Sequence, residues 1–231
     1  MKYELKQYKE ILGDITLMIE TLADLDATID ALCDGVDEKS AEAVFVEDLC
    51  PYFGVVWPAA RALSEHLGRM GGWLKGKTVL ELGCGLALPS LVCAKMGAHV
   101  TASDFHPEVP KFLERNRTLN DVTTEQLKYE VLDWRNTEPK QTYDFVIGSD
   151  VLYESKHPHD VAKALAAHCH RGSHIILTDP GRTYLQPCLD GLAALGFHSD
   201  VFVKAVRDGH DDRAGDRATK EVFVCVLQKR L

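Results

Sequence analysis

The sequence predicts an α/β fold: a mostly parallel sheet with helices on both faces, an antiparallel C-terminal hairpin, and helices at the N-terminus. Three observations carry this. From Thr78 onward, short apolar runs alternate with helix-like segments in a βαβ rhythm, which requires a parallel sheet covered on both sides. Val79–Ser90, VLELGCGLALPS, leaves a strand through closely spaced glycines and resumes as a helix. HSDVFVKAV and KEVFVCVLQ alternate in strand fashion around one polar loop, and two strands joined without a helix pair antiparallel.

The elements follow in order. Tyr8, Ile11, Ile15, Met18, Leu22, Leu25, Ile29 and Leu32 recur at steps of three and four, which predicts a long helix. A second is expected near Ala41–Leu49, after a break at Gly35 and Asp37. The apolar seam suits a coiled-coil homodimer or packing on the chain's own domain, and the expectation is the latter. Residues 1–50 thus form an N-terminal helical segment and residues 51–231 one domain. Strands are expected at Thr78–Leu82, His99–Ala102, Lys128–Leu132, Tyr143–Gly148 and His174–Leu177. Helices fall near Pro89–Met96, Pro107–Leu119, Pro158–His168 and Leu185–Leu195, the last ended by Gly196 as a C-terminal cap.

Composition bounds the function. The chain has 231 residues, 45% of them hydrophobic, enough for one buried core. It contains no apolar stretch long enough to span a membrane and no signal-peptide core at its start. Seven scattered cysteines without a CxxC pair predict reduced thiols, and so a cytoplasmic protein. Residues 1–50 hold 4 Lys/Arg against 13 Asp/Glu, and the remainder balances at 22 and 22. Such a surface repels phosphate backbones and argues against nucleic acid as a partner.

The glycine turn narrows the ligand. Gly83-Cys84-Gly85 follows the strand, and glycine lets a backbone bend and a ligand approach. A dinucleotide fingerprint needs a third glycine, and Leu88 stands there instead. Glu81 lies two residues before the turn, where a carboxylate repels a pyrophosphate but suits an ammonium. Asp104 ends the second strand, 21 residues after Gly83, and can accept both ribose hydroxyls or cap the next helix. Asp133, beside Trp134, can take an adenine amino group while the indole packs the ring. A ribose, an ammonium and no phosphate describe S-adenosylmethionine, not NAD or ATP.

With these residues on the page, the chain resembles the class I, seven-stranded, Rossmann-like methyltransferases from about Tyr52 onward. VLELGCGLALPS is similar to that family's first motif and VTASDFHPE to its ribose-binding second. PYFGVVWPAARALSEHL, GSDVLYE and TDPGRTYL resemble the protein-lysine methyltransferases with a D-x-x-Y motif after the fourth strand. Within that subgroup the flavoprotein-directed branch, whose relatives are described as nicotinamide N-methyltransferase-like, is the nearest in pattern. The resemblance implies that Trp57, Glu81, Gly83, Gly85, Asp104, Asp133, Trp134 and Ser149 line the cofactor. It places Asp150 and Tyr153 at the methyl-transfer end. The [N/D]PP[Y/F] motif of enzymes that methylate bases or glutamine is absent; that place reads Ser149-Asp150-Val151-Leu152-Tyr153.

The chemistry fits these residue types. A lysine nucleophile must lose a proton whose reference pKa is near 10.4, at a cost of about 4–5 kcal/mol at neutral pH. Asp150 would attract and orient the amine, Tyr153 would cap it, and Trp57 would offer an aromatic face to a cation. The histidines at 157, 159, 168 and 170 lack zinc spacing, so no metal is expected. Cys84 reads as a turn filler and Arg182 as a minor substrate contact. The expected activity is N-methylation of a protein lysine. A metabolite amine or pyridine as acceptor, and a non-catalytic cofactor-binding role, are the alternatives.

Overall fold

A computed structural model describes residues 3–34, 50–136, 138–208 and 219–229. The helix expected at 41–49, its break at Gly35 and Asp37, and most of the 207–219 loop lie outside the described residues.

The main sheet has seven strands: β3 (Thr78–Leu82), β4 (His99–Asp104), β5 (Leu127–Val131), β6 (Tyr143–Ser149), β7 (Cys169–Asp179), β8 (Phe197–Arg207) and β9 (Thr219–Lys229). Their order is β5-β4-β3-β6-β7-β9-β8. The first five run parallel, and β9 lies antiparallel between β7 and β8. Helices α2 (Pro58–Arg69), α3 (Leu88–Lys95) and α4 (Val109–Leu119) cover one face. The other face carries α5 (His157–Ala167) and α6 (Leu185–Ala194). Alternate residues serve the two layers: Val79, Phe145 and Ile147 pack on the first face, Leu80, Leu82 and Val146 on the second. Burial on both faces is why β3 and β6 read as largely apolar runs rather than as alternating ones. β7 begins at Cys169, earlier than the apolar signal suggests. Its first residues are polar, and Ser173 Oγ donates to the Tyr143 carbonyl at 2.6 Å across a register shift.

The helical N-terminus is corrected. Residues Leu5–Leu12 (β1) and Ile15–Leu22 (β2) form an antiparallel hairpin, and only Leu25–Cys33 (α1) is helical. Gly13 and Asp14 make the two-residue turn, with Gly13 at φ +63, a backbone that glycine adopts without strain. Inward residues recur every second position: Glu10 and Leu12 on β1, Leu17, Ile19 and Thr21 on β2. Ile11, on the expected helical seam, is 63% exposed. Over these residues the apolar positions suit both periods, and the Gly-Asp turn decides for the hairpin. The continuous seam that a coiled-coil homodimer would use is therefore not formed by residues 5–22.

Two features dock the hairpin on the main domain. From α4, Asn116 and Asn120 offer their amides to the edge of β2 as a neighbouring strand would. Each accepts from a backbone N–H (Glu20 at 2.7 Å, Met18 at 2.9 Å) and donates to the same residue's carbonyl. On the inner face, Glu10 meets Arg61 of α2 at 3.0 Å with both side chains 1% exposed, and Arg207 at the end of β8 joins at 2.9 Å. Removing one partner of such a pair strands a buried charge. Glu10→Ala is expected to cost about 3–5 kcal/mol in urea denaturation, whereas Glu10→Leu with Arg61→Met costs less than that single change.

Candidate functional site

The chain moves outward from β3 through β4 and β5 on one side, then returns to β6 and β7 on the other. Where that order reverses, the carboxyl ends of β3 and β6 open a crevice in which α/β sheets bind ligands. Every sequence-predicted site residue except Trp57 lies on a strand end or the loop that follows one.

The turn after β3 is held closed from β4. Gly83 and Gly85 sit at φ +62 and +49, positions strained for any residue with a Cβ. A Cβ on Gly83 would come within 2.9 Å of Val151 and 3.1 Å of Trp134; one on Gly85 would come within 3.1 Å of the Phe53 carbonyl. The glycines thus make room for the chain's own loops as well as for a ligand. Asp104 Oδ2 accepts from Gly85 N at 3.0 Å and Oδ1 from His106 N at 2.9 Å. Helix α4 begins at Val109 with Glu108 before it, so Asp104 is not its cap. Each oxygen keeps a further lone pair for a hydroxyl. Burial raises the Asp104 pKa, and these backbone hydrogen bonds oppose that rise.

Glu81 is 1% exposed. Its Oε2 accepts from Ser90 N and Ser90 Oγ in the first turn of α3, while Oε1 has no hydrogen-bond partner among the described residues. A buried carboxylate oxygen without a partner is costly unless something charged meets it. Burial pushes Glu81 up to about 8, only partly offset by Ser90.

At the β5 end, Asp133 is gripped by Arg135, whose guanidinium forks both carboxylate oxygens at 2.8–3.0 Å. That hydrogen-bonded pair lowers the Asp133 pKa. Arg135 also lies over the ring of Phe105, 4.9 Å from its centroid. Phe105 is 48% exposed beside Asp104, a stacking surface the sequence reading passed over. Ser90 and Arg135 were also missed. For Ser90 a signal existed, one polar residue in the first turn of an otherwise apolar helix.

The β6 end carries the second group. Ser149 is buried and pairs in register with Thr178 of β7. Asp150 takes φ +60, a left-handed backbone in a residue other than glycine, and its N–H donates to the Thr178 carbonyl at 2.9 Å. Thr178 Oγ1 in turn donates to the Ala59 carbonyl at 2.9 Å, which ties this corner to the start of α2 beside Trp57. The Trp57 indole N–H donates to the Tyr52 carbonyl at 2.9 Å. Asp150 Oδ1 accepts from the Arg182 guanidinium. An aromatic run joins the two groups. Trp134 meets His157 edge-on at 5.3 Å, and Tyr153 meets the same ring edge-on at 4.4 Å. Tyr153 is 50% exposed. Among the described residues no cluster of three or more His, Cys, Asp or Glu side chains is arranged to hold a metal.

A glycine cradle, a buried half-satisfied carboxylate and a second carboxylate on the neighbouring strand fit S-adenosylmethionine. Glu81 would meet its ammonium and Asp104 its ribose. Fold and site therefore define the seven-strand methyltransferase class. The chain belongs to the lysine methyltransferase family, whose profile matches residues 45–184. Among curated relatives, the protein N-lysine methyltransferase METTL21A of Xenopus tropicalis is 31% identical over 174 residues, 73% of this chain and 80% of its own. The histone-arginine methyltransferase METTL23 of Xenopus laevis is 35% identical over 136 residues, 55% of this chain and 57% of its own. The electron transfer flavoprotein beta subunit lysine methyltransferase of Xenopus laevis is 28% identical over 157 residues, 64% of this chain and 61% of its own. The match thus spans under two thirds of the last two relatives. Solved structures similar in fold include a precorrin-6y C5,15-methyltransferase from Geobacter metallireducens, with TM-score 0.57 and 13% identity, covering 73% of this chain and 86% of that one. The 16S rRNA N2 G1207 methyltransferase of T. thermophilus gives TM-score 0.61 and 16% identity, covering 99% of this chain and 52% of that one.

The Glu81 shift has a measurable consequence. Folding raises its pKa from 4.5 to about 8, so its stabilising contribution is full below 4.5 and is lost as pH rises through about 8. An ammonium beside Oε1 pulls the value down again, so cofactor uptake near neutral pH releases about one proton. Calorimetry of S-adenosylmethionine binding at pH 7 is expected to give apparent enthalpies that differ between phosphate and Tris buffers. Glu81→Gln abolishes the difference; equal enthalpies in the unmodified protein would remove Glu81 from the ammonium's site.

Proposed function

We propose that this protein is an S-adenosylmethionine-dependent N-methyltransferase that modifies a lysine side chain on a protein. The observation that carries the reading is Asp150. It follows β6 on a left-handed backbone, its carboxylate faces a cation already, and the next residue, Val151, lies beside Gly83 of the glycine turn. The family's description and the name of the METTL21A relative favour lysine over other acceptors.

The bound cofactor supplies an activated methyl group on a sulfonium, so the protein's task is positioning. Holding two reactants in line is worth roughly 7–11 kcal/mol. Glu81 and Asp104 fix one partner from β3 and β4. Asp150 receives the other as an ammonium and orients its nitrogen once a proton has gone to solvent. The Tyr153 ring packs beside the amine, and Trp57 offers an aromatic face from the start of α2.

Arginine is the second reading. The METTL23 relative is named for it, and Asp150 already accepts a guanidinium. The buried thiols of Cys84, Cys93, Cys188 and Cys225 suit a reducing compartment, which supports a cytoplasmic protein.

Incubation with methyl-labelled S-adenosylmethionine and a lysate of the source organism, followed by peptide mapping, is expected to put label on lysine in a protein band. Label on arginine selects the second reading, and label confined to small molecules overturns both. Asp150→Asn is expected to bind the cofactor within about threefold of the unmodified chain, because asparagine tolerates the left-handed backbone. It should lose at least about 100-fold in transfer, a barrier increase of roughly 2.7 kcal/mol. Normal turnover in that variant would remove Asp150 from the acceptor's path.

A further inference from the structure

A carboxylate beside an amine favours the amine's charged form, raising its pKa by about one to three units for a close pair. Methyl transfer needs the neutral nitrogen. Asp150 by itself would hold a lysine ammonium firmly and oppose its reaction.

In the structure the charge on Asp150 is balanced. Arg182 contacts its Oδ1, the two side chains being 34% and 10% exposed. The local fold aims that guanidinium. Asp179, 1% exposed at the end of β7, accepts from the backbone N–H groups of Gly181 and Arg182, each at 2.7 Å, and so bends the chain back over the strand ends. Gly181 sits at φ +90, and a Cβ there would lie 2.7 Å from the Phe223 ring, so the bend is packed against β9. The second Asp179 oxygen is buried without a hydrogen bond, 3.8 Å from the same guanidinium nitrogen. Arg182 therefore lies between a carboxylate at the mouth of the site and one beneath it.

We propose that Arg182 is a positioning residue that acts through Asp150: it cancels the carboxylate's charge, so Asp150 orients the incoming amine by a hydrogen bond without holding it protonated. The inference rests on the reading that Asp150 meets the acceptor. Arginine suits the role because, although burial lowers the Arg182 pKa from its ordinary 12.5, a guanidinium starts higher than any other side chain and so holds its charge best. The acceptor's proton leaves to solvent. The nitrogen lone pair then forms the N–C bond as the S–C bond breaks, and the positive charge passes from sulfur to the methylated nitrogen.

Other titratable groups face this corner. Asp179 comes from β7; Tyr153 and Glu154 come from the segment after β6, and His157 from the first turn of α5. Burial lowers His157 below its ordinary 6.5, so it is neutral across the range where the acceptor titrates. Glu154 lies 3.5 Å from His157 and is 64% exposed, in contact with solvent. All four are kept in every variant below.

The test follows methyl label from S-adenosylmethionine onto the principal protein band of a heat-treated lysate, as initial rates from pH 6.5 to 10. Arg182→Gln is expected to move the half-maximal pH up by about one unit, which makes it about tenfold slower at pH values well below the unmodified chain's midpoint, with the deficit narrowing as pH rises through that midpoint. Arg182→Lys should restore most of the profile. Calorimetry should give both variants cofactor affinity within about twofold of the unmodified protein. A loss that is uniform in pH, an unmoved midpoint, or loss of cofactor binding in both variants overturns the proposal. Turnover in Asp150→Asn overturns instead the reading on which it rests.

Discussion

Asp104 holds the turn after β3 closed from the neighbouring strand, one oxygen on the Gly85 amide and the other on that of His106. The site depends on this clasp. It holds Gly85 in left-handed backbone beside Gly83, and the two glycines let the Phe53 carbonyl and Trp134 approach where a Cβ would crowd them at 3.1 Å. It also starts α3 in the place where Ser90 meets Glu81. A carboxylate with lone pairs to spare can shape the turn and still be able to accept from a ribose.

The same economy recurs at the other strand ends. Asp179 shapes the bend that delivers Arg182, and Asp150 takes a strained backbone conformation supported by Thr178. Strain of this kind costs of order 1–3 kcal/mol and persists only where surrounding contacts enforce it. Here two parallel strands and the start of α2 enforce it together. Two arginines of the crevice, Arg135 and Arg182, each lie on a carboxylate, Asp133 and Asp150, and so offset two of the negative charges gathered at the strand ends.

The N-terminal hairpin shows what binds the periphery to this centre. Asn116 and Asn120 lend their amides to β2 as a substitute strand, and Glu10 is buried against two arginines from distant parts of the chain. The acidic surplus of the first 50 residues thus includes a carboxylate at the core.

Most of the sheet was legible because parallel strands buried on both faces leave largely apolar runs, as Val79–Leu82 (Glu81 excepted) and Phe145–Gly148 do. The carboxylates at their ends were legible because polar residues there interrupt such runs. The N-terminal period was not, since Ile15, Met18 and Leu22 keep a helical spacing while Ile15, Leu17 and Ile19 keep a strand spacing over the same short span, and the Gly13-Asp14 turn decides between them. Nor was the pairing of Asp150 with Arg182, or the stacking of Arg135 on Phe105. By itself the sequence determined the strand order's rhythm, the glycine turn and the kinds of charge around it, because these are local in the chain. That Arg182 meets Asp150 was decided only by tertiary structure, because the two lie 32 residues apart at the ends of neighbouring strands, a distance that no local spacing encodes.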